Sequence, residues 1–185
     1  MQLDVQRYLE LVENNNSICF FDLETTGREA EYDSIICGSI KSYHDAPMTF
    51  TVKQIGNDQK ILKELKEWLT SFDVYVTYYG KGFDTLFLNT RSLKWRQPPL
   101  PPMLHLDMYF ALRGKLILGR RSQGHIASWL RLPVEKMSVS ADIWSEAPYK
   151  PKLNLPILVE RCESDVTGLQ QLYDTSKHLV RDLKQ

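Results

Sequence analysis

The sequence Ile-Cys-Phe-Phe-Asp-Leu at residues 18–23, followed by Glu24, is the most apolar run of strand-forming side chains in the chain. An almost continuous apolar run of this length is typical of a central strand that is covered on both faces. Side chains at positions i and i+2 of a strand point to the same face, so Asp22 and Glu24 project together from its carboxyl end. Acids that simply reach solvent at a strand end are the alternative. If both are buried, however, a cation has to lie between them.

The rest of the chain predicts an α/β domain with a mixed sheet. Two β-rich runs at residues 34–43 and 48–53 predict an antiparallel meander after the first strand. Further strands are predicted at residues 74–79 and 103–109, and helices at residues 59–71, 83–95, 122–132 and 155–183. Asp58 is expected to cap the first of these helices, and Asn154 and Pro156 are expected to begin the last.

Composition predicts one intracellular domain. The chain has 185 residues, of which 43% are hydrophobic, and 23 basic residues balance 23 acidic ones, which excludes a strongly basic nucleic-acid binder. It shows neither a signal peptide nor a long apolar span, so we expect a soluble, cytoplasmic protein with no membrane partner. Residues 1–185 are expected to form a single domain with a core at about 16–183. Three cysteines without a CxxC motif predict buried thiols.

Two further acids are candidates for the site that Asp22 and Glu24 begin. Asp84 follows Tyr-Tyr-Gly-Lys-Gly-Phe at the start of a predicted helix, and Asp165 lies within Arg-Cys-Glu-Ser-Asp-Val in the last one. Taken alone, an acid such as Asp84 is more often a helix N-terminal residue favoured by the dipole, and one such as Asp165 is more often a solvated residue on a helix surface. Four carboxylates at one point would form the hard oxygen ligand set of Mg²⁺ or Mn²⁺. Two such ions about 3.5–4 Å apart promote in-line displacement at phosphorus.

Three motifs resemble those of the DnaQ-like, or DEDD, 3′-to-5′ exonucleases of the ribonuclease H-like superfamily. The first is Phe-Asp-Leu-Glu-Thr-Thr-Gly at residues 21–27, and the second is Tyr-Gly-Lys-Gly-Phe-Asp-Thr-Leu-Phe-Leu at residues 79–88. The third, at residues 161–166, is closest to the subgroup related to the exonuclease domain of family B DNA polymerases. The resemblance covers almost the whole chain. It implies a ribonuclease H-like fold, with a mixed five-stranded sheet flanked by helices.

The resemblance also implies the roles of the four acids. Asp22, Glu24, Asp84 and Asp165 would be the catalytic residues that bind two divalent cations, Mg²⁺ or Mn²⁺. Asp22 would bridge both ions, Glu24 and Asp165 would hold the first, and Asp84 would reach the second. The implied activity is hydrolysis at the 3′ end of single-stranded nucleic acid, with DNA favoured over RNA, and with release of nucleoside 5′-monophosphates.

One departure from the family pattern concerns the residue expected to handle the attacking water. The family places a Tyr four residues, or a His five residues, before the last acid, where this chain has Arg161 and Glu160. Arginine stays protonated and has no acceptor, so Arg161 cannot be a general base. We expect Arg161 to contact the scissile phosphate; Glu160 or another group taking over the proton, and slow turnover, are the alternatives. Other expected substrate contacts are Thr25, Thr26, Lys81 and Phe83.

The departure keeps two other functions open. One is an exoribonuclease or oligonucleotidase with the same site, since the contacts that select the sugar cannot be placed from sequence. The other is a weakly active nucleic-acid-binding domain that kept its acids after arginine replaced tyrosine.

A basic stretch is a candidate for contacts with the nucleic-acid backbone, although a solvated loop explains it equally; it consists of Arg113, Lys115, Arg120 and Arg121. Asp107 is a candidate for supporting the site, the four histidines are expected to be non-catalytic, and the four tryptophans are expected to pack in the core or a groove.

Overall fold

A five-stranded mixed sheet forms the centre of the protein in a computed structural model, which describes residue 10, residues 15–134 and residues 137–181. The strands are β1 Ile18–Thr25, β2 Ile35–Ser42, β3 Met48–Thr51, β4 Val74–Thr77 and β5 Leu104–Asp107. Their order in the sheet is β3-β2-β1-β4-β5. β1 pairs antiparallel with β2 and parallel with β4, the β2–β3 pair is antiparallel, and the β4–β5 pair is parallel. The predicted mixed five-stranded α/β fold is therefore confirmed.

Six α-helices lie in the part of the chain that the structure describes after β1. They are α1 Gln59–Leu69, α2 Asp84–Lys94, α3 Met108–Arg113, α4 Gln123–Trp129, α5 Ala141–Glu146 and α6 Pro151–Arg181. A short 3₁₀ turn, Asn15–Ser17, precedes β1. Among the described helices, none is both long and apolar enough to cross a membrane.

Strand β1 is buried on both faces, as its continuous apolar run predicts. Ile18 and Phe20 pack in one core with residues of α6, α4 and α3. Cys19, Phe21 and Leu23 pack in a second core, against α1 and α2 on the opposite face of the sheet. The even-numbered side chains therefore face α6, which puts Asp22 and Glu24 on the side of the sheet that Asp165 approaches.

Several details of the helices and strands differ from the sequence-based expectations. β5 ends at Asp107, because the carboxylate of Asp107 accepts a hydrogen bond from Tyr109 N and starts α3 where the strand was expected to continue. α6 begins at Pro151, so Pro156 lies inside the helix. The buried Asn154 donates to Ile143 O rather than starting the helix. α3 and α5 are short helices that the apolar pattern did not predict.

Asp58 is part of a buried ion pair instead of the helix cap that was expected. Its side chain makes no cap hydrogen bond to α1 and is completely buried. Arg91 of α2, 1% exposed, donates from Nε to Asp58 Oδ2 at 2.8 Å and from Nη2 to Oδ1 at 2.9 Å. The indole N–H of Trp95 and the backbone N–H of Ile35 donate to the same carboxylate. The pair thus joins β2, α1 and α2.

His105 of β5 should make stability depend on pH. Its ring stacks on Tyr75 with centroids 4.0 Å apart and shares a 2.7 Å hydrogen bond with Thr77 Oγ1. Burial, helped by the charge of Lys81, lowers the pKa of His105 from 6.5 to about 3. His105 binds a proton below about pH 6.5 in the unfolded chain, but only near pH 3 in the folded chain. The stability that comes from burying the neutral ring is therefore present above pH 6.5 and is lost as the pH falls towards 3.

We expect the free energy of unfolding to fall by up to about 1.4 kcal/mol per pH unit for this one proton. His105→Phe keeps an aromatic ring but cannot titrate. Urea unfolding between mildly acidic and neutral pH measures the difference in stability between the wild type and this variant. That difference should change with pH below 6.5. A difference that stays constant over the range would contradict the prediction.

Candidate functional site

Three carboxylates meet beside the carboxyl end of β1. Asp22 and Glu24 come from the strand, Asp165 comes from α6, and their ligand oxygens all lie within 4.8 Å of one another. Glu24 and Asp165 are buried, whereas Asp22 is half-buried. The sulfur of Cys162, one turn before Asp165, donates to the Asp22 backbone oxygen at 3.4 Å. The sheet and the long helix thus bring together acids that lie 141 and 143 residues apart in the sequence.

Asp84 lies next to this group but not within it. At the first position of α2 it accepts a 3.1 Å hydrogen bond from the backbone N–H of Leu23, which stands between Asp22 and Glu24 on β1. Burial, with smaller contributions from Asp107 and Glu24, raises the pKa of Asp84 to about 7, against the opposing effect of two backbone N–H groups. Close to neutral pH and without a cation, this carboxyl group is therefore partly protonated.

Arg161 is held by the carboxylates of the cluster. Its Nε donates to Glu24 Oε1 at 2.7 Å, and its Nη2 lies 3.3 Å from Asp165 Oδ2, one helical turn along α6. Its Nη1 donates to the backbone oxygen of Met137 at 2.6 Å. Burial works to lower the pKa of Arg161, but Asp165 and Glu24 outweigh it and raise the pKa above its ordinary value. The guanidinium is therefore the permanent cation that offsets the buried acids.

Trp144 completes this arrangement from α5. Its indole N–H donates to Glu24 Oε2 at 2.8 Å, and its ring lies 5.1 Å from the guanidinium carbon of Arg161. Burial raises the pKa of Glu24, while Arg161 and Trp144 act in the opposite direction. Each oxygen of Glu24 thus has its own donor.

The loop between β4 and α2 is fixed by Asp107. The two carboxylate oxygens of this buried side chain accept from the backbone N–H groups of Tyr79 and Lys81, both at 2.9 Å. Tyr79 has a φ of 67°, which is uncommon for an aromatic residue and is held by this bonding. A Cβ on Gly82 would lie 2.6 Å from the Tyr79 ring, so a larger residue there would have to displace this ring. Asp107 thus supports the segment that leads to Asp84, as its position after a strand suggested.

An open groove of about 850 Å³ lies beside Trp144 and Arg161. Two further arginines line it, Arg120 from the predicted basic stretch and Arg131 after α4. Neither has an ion pair among the described residues. His125 and several serines complete its polar lining. The groove therefore offers positive charge immediately next to the acidic cluster.

The residues expected to contact substrate occupy different settings. Thr25 Oγ1 donates to Gly27 O, and Thr26 Oγ1 bonds to the Asp33 carboxylate, so both hydroxyls hold the turn after β1. Phe83 packs on Phe87 with ring centroids 5.5 Å apart. Lys81 is exposed at the loop that Asp107 fixes.

Trp144 and the backbone oxygen of Met137 are the features that the sequence did not reveal. Trp144 lies 17 residues before Arg161 in a weakly patterned segment, and nothing local distinguishes it from the other tryptophans. The only sign of its role in the sequence is its position a short distance before the last helix. The contact of Trp144 with Glu24 can be identified only when the fold places α5 against α6.

The donor set suits a divalent cation of the magnesium type. The three clustered side chains offer only carboxylate oxygens, the hard ligands that Mg²⁺ and Mn²⁺ prefer, and all three lie close enough to share one ion. Asp84 contacts β1 between Asp22 and Glu24, through the backbone N–H of Leu23. Arg161 opposes cation binding at these oxygens, because its guanidinium already pairs with Glu24 and Asp165.

Comparisons with known proteins agree with this geometry. The chain superposes on the family B DNA polymerase of the hyperthermophilic archaeon Pyrobaculum calidifontis with a TM-score of 0.75 at 15% sequence identity. The match covers 86% of this chain but only 24% of the polymerase, so this chain corresponds to about a quarter of that protein. Curated proteins include no match to the sequence. Residues 19–176 match the model of the RNase_H superfamily, and the chain belongs to that superfamily.

Proposed function

We propose that the protein is a metal-dependent 3′-to-5′ exonuclease that acts on single-stranded nucleic acid, with DNA favoured over RNA. The observation that carries the proposal is the convergence of Asp22, Glu24 and Asp165 within 4.8 Å on a ribonuclease H-like sheet, with Asp84 alongside. Nucleases of this superfamily generally use divalent metal ions. The expected products are nucleoside 5′-monophosphates.

Each part of the site would have a separate role in phosphodiester hydrolysis. Asp22, Glu24, Asp84 and Asp165 would hold two divalent cations, which when bound activate water and stabilise the charge of the leaving oxygen. The indole of Trp144 keeps Glu24 in a fixed orientation. Asp107 fixes the loop before Asp84 and so sets the position of that carboxylate. Positioning of this kind is a large part of the catalysis of phosphoryl transfer.

The groove beside the cluster is the proposed path of the strand. Its arginines provide charge for phosphates, and the exposed Lys81 adds a further cation on the loop before Asp84. Tyr79, on the loop after β4, and Phe110, on α3, are 46% and 43% exposed, and their rings stack with centroids 5.8 Å apart. Exposed aromatic rings suit unpaired bases, because every base can stack regardless of sequence. These features favour a single strand over a duplex.

We expect the double variant Arg120→Gln, Arg131→Gln to bind single-stranded DNA about tenfold more weakly at low salt. Each lost phosphate contact should reduce the slope of log affinity against log salt concentration by about 0.7, so the double variant should lose about 1.4. Fluorescence anisotropy over a salt series, with catalysis suppressed by chelator, measures both quantities.

Lys60→Gln, Lys63→Gln is the matched control for this variant. It removes two exposed charges from α1, which packs on the opposite face of the sheet. The control should keep the wild-type slope. Equal slopes for the groove variant and the wild type would exclude the groove as the path of the strand.

The polarity of digestion tests the proposal itself. Single-stranded DNA and RNA of equal sequence, each labelled at the 5′ end, are incubated with the protein in Mn²⁺, in Mg²⁺ and in chelator. The proposal predicts a ladder that shortens from the 3′ end and requires metal, with DNA degraded faster. Internal cuts, shortening from the 5′ end, or no degradation of either polymer would each refute it, whereas faster RNA degradation would replace DNA by RNA as the substrate.

A second candidate function is nucleic-acid binding with little turnover. It is favoured by the position of Arg161, which neutralises two of the acids that a cation needs. Under this alternative the strand binds in the groove with the salt dependence described above, but metal does not lead to cleavage. The same labelled substrates distinguish the two functions, because binding without any ladder in either metal fits only the second.

A further inference from the structure

Arg161 sits where the cluster requires a cation. We propose that Arg161 is a resident counter-ion of the cluster, which competes with divalent cations for Glu24 and Asp165 and leaves these carboxylates when the cations bind. The inference rests on the metal site of the proposed function and adds a device that controls its loading. It concerns a residue at the position where the family pattern has a tyrosine.

The hydrogen bonds make the competition direct. Glu24 Oε1 accepts from Arg161 Nε at 2.7 Å, and Asp165 Oδ2 lies 3.3 Å from Nη2, so one guanidinium spans two of the three clustered acids. The side chain of Arg161 is only 15% exposed, and those of Glu24 and Asp165 are 8% and 4% exposed. A divalent cation on the same oxygens would face a positive charge within contact distance in a poorly solvated site, so the two cannot share the carboxylates favourably.

The groove beside Trp144 can accommodate the Arg161 side chain after it leaves the carboxylates. The guanidinium already lies over the ring of Trp144, at 5.1 Å, and borders the groove that Arg120 and Arg131 line. A planar, weakly hydrated guanidinium can keep this stacking contact while it exchanges its carboxylate partners for others. The anion that would enter the groove is a phosphate of the strand. Release of Arg161 by the metal would therefore supply the phosphate contact that the sequence predicts, and would couple metal binding to substrate binding.

The side-chain resonance of Arg161 reports the exchange in the unmodified protein. Its ¹⁵N-labelled Nε–H signal is assigned by its absence from the spectrum of Arg161→Lys. Titration with Mg²⁺ at neutral pH should move this signal towards that of a solvent-exposed guanidinium and speed its exchange with water. An unmoved signal at Mg²⁺ concentrations that saturate the protein in calorimetry would overturn the inference, and so would a failure to bind Mg²⁺.

Metal affinity without any substrate provides the second test. Arg161→Gln should bind Mn²⁺ at least about tenfold more tightly than the wild type in calorimetry, because the cation no longer displaces a paired guanidinium. Arg131→Gln is the matched control, since it removes one charge from the same groove without touching the carboxylates; its affinity should change by less than about threefold. Arg161→Gln with affinity equal to or weaker than that of the control would overturn the inference.

Arg161→Lys keeps the test decisive if the glutamine variant does not fold. A lysine retains the charge but cannot bridge two carboxylates with a rigid fork. We expect a gain in Mn²⁺ affinity that is smaller than that of Arg161→Gln but measurable, and an unchanged affinity would contradict the proposal. Metal-dependent cleavage with an unmoved Arg161 would refute the counter-ion alone. Displacement of Arg161 by Mg²⁺ without any cleavage would refute the nuclease alone.

Discussion

Asp22→Asn should lower the rate of phosphodiester cleavage by at least about a thousandfold, which corresponds to a loss of about 4 kcal/mol of transition-state stabilisation. Asp22 belongs to the acidic cluster and precedes Leu23, whose backbone N–H donates to Asp84. An amide of the same shape removes the charge that attracts a divalent cation and leaves the strand unchanged. Single-turnover cleavage of labelled single-stranded DNA in Mn²⁺ measures the effect.

Asp142→Asn is the control for this variant. Asp142 is an exposed acid on α5, the helix that also carries Trp144, and it lies outside the cluster. Its replacement should leave the rate within about twofold, as expected for an exposed side chain outside the cluster. A folded Asp22→Asn protein that cuts at the wild-type rate would show that the carboxylate cluster is not the site of cleavage.

Arg91→Met should lower the free energy of unfolding by about 3–5 kcal/mol, the cost of leaving a buried carboxylate without its cation. Asp58 is completely buried, and only two N–H donors, those of Ile35 and Trp95, would remain to it among the described residues. For a domain of this size the loss corresponds to a fall in Tm of about 10 °C. Urea unfolding and thermal denaturation measure the two quantities.

Two further proteins decide whether the ion pair is the cause. Lys94→Met changes an exposed residue at the end of the same helix and should stay within about 0.5 kcal/mol of the wild type. The double variant Asp58→Asn, Arg91→Met should be more stable than Arg91→Met alone, because a neutral amide can still accept from Ile35 N without a buried charge. A double variant that is less stable than the single one would contradict this explanation.

The strands and the main acids were predictable because their signals are local. The apolar run of β1 is dictated by burial on two faces, and the spacing of Asp22 and Glu24 follows from the period of a strand. The start of α3 was harder to predict from the sequence. Met108 and Tyr109 look like a continuation of β5, and only the hydrogen bond from Tyr109 N to Asp107 ends the strand there.

The partners of the acids could not be predicted, because they come from tertiary contacts. Asp58 has the sequence position of a helix cap, yet α2 delivers Arg91 to it and makes an ion pair. Arg161 was expected to meet a phosphate. Its link to Glu24 depends on how α6 packs against β1, whereas its link to Asp165 is made within α6. Composition does not indicate these contacts either. The net charge is zero for the chain as a whole and carries no information about where arginines lie next to the acidic cluster.

Sulfur substitution at the scissile phosphate tests the central claim most directly, namely that cations held by these carboxylates contact the bond that is cut. Oligonucleotides with a single phosphorothioate of defined configuration at the 3′-terminal linkage are compared with the normal phosphate in Mg²⁺ and in Mn²⁺. Because Mg²⁺ prefers hard oxygen ligands, one of the two sulfur isomers should be cut at least about tenfold more slowly in Mg²⁺ and should recover in Mn²⁺. Equal rates for both isomers in both metals, or cleavage that persists in chelator, would contradict the account.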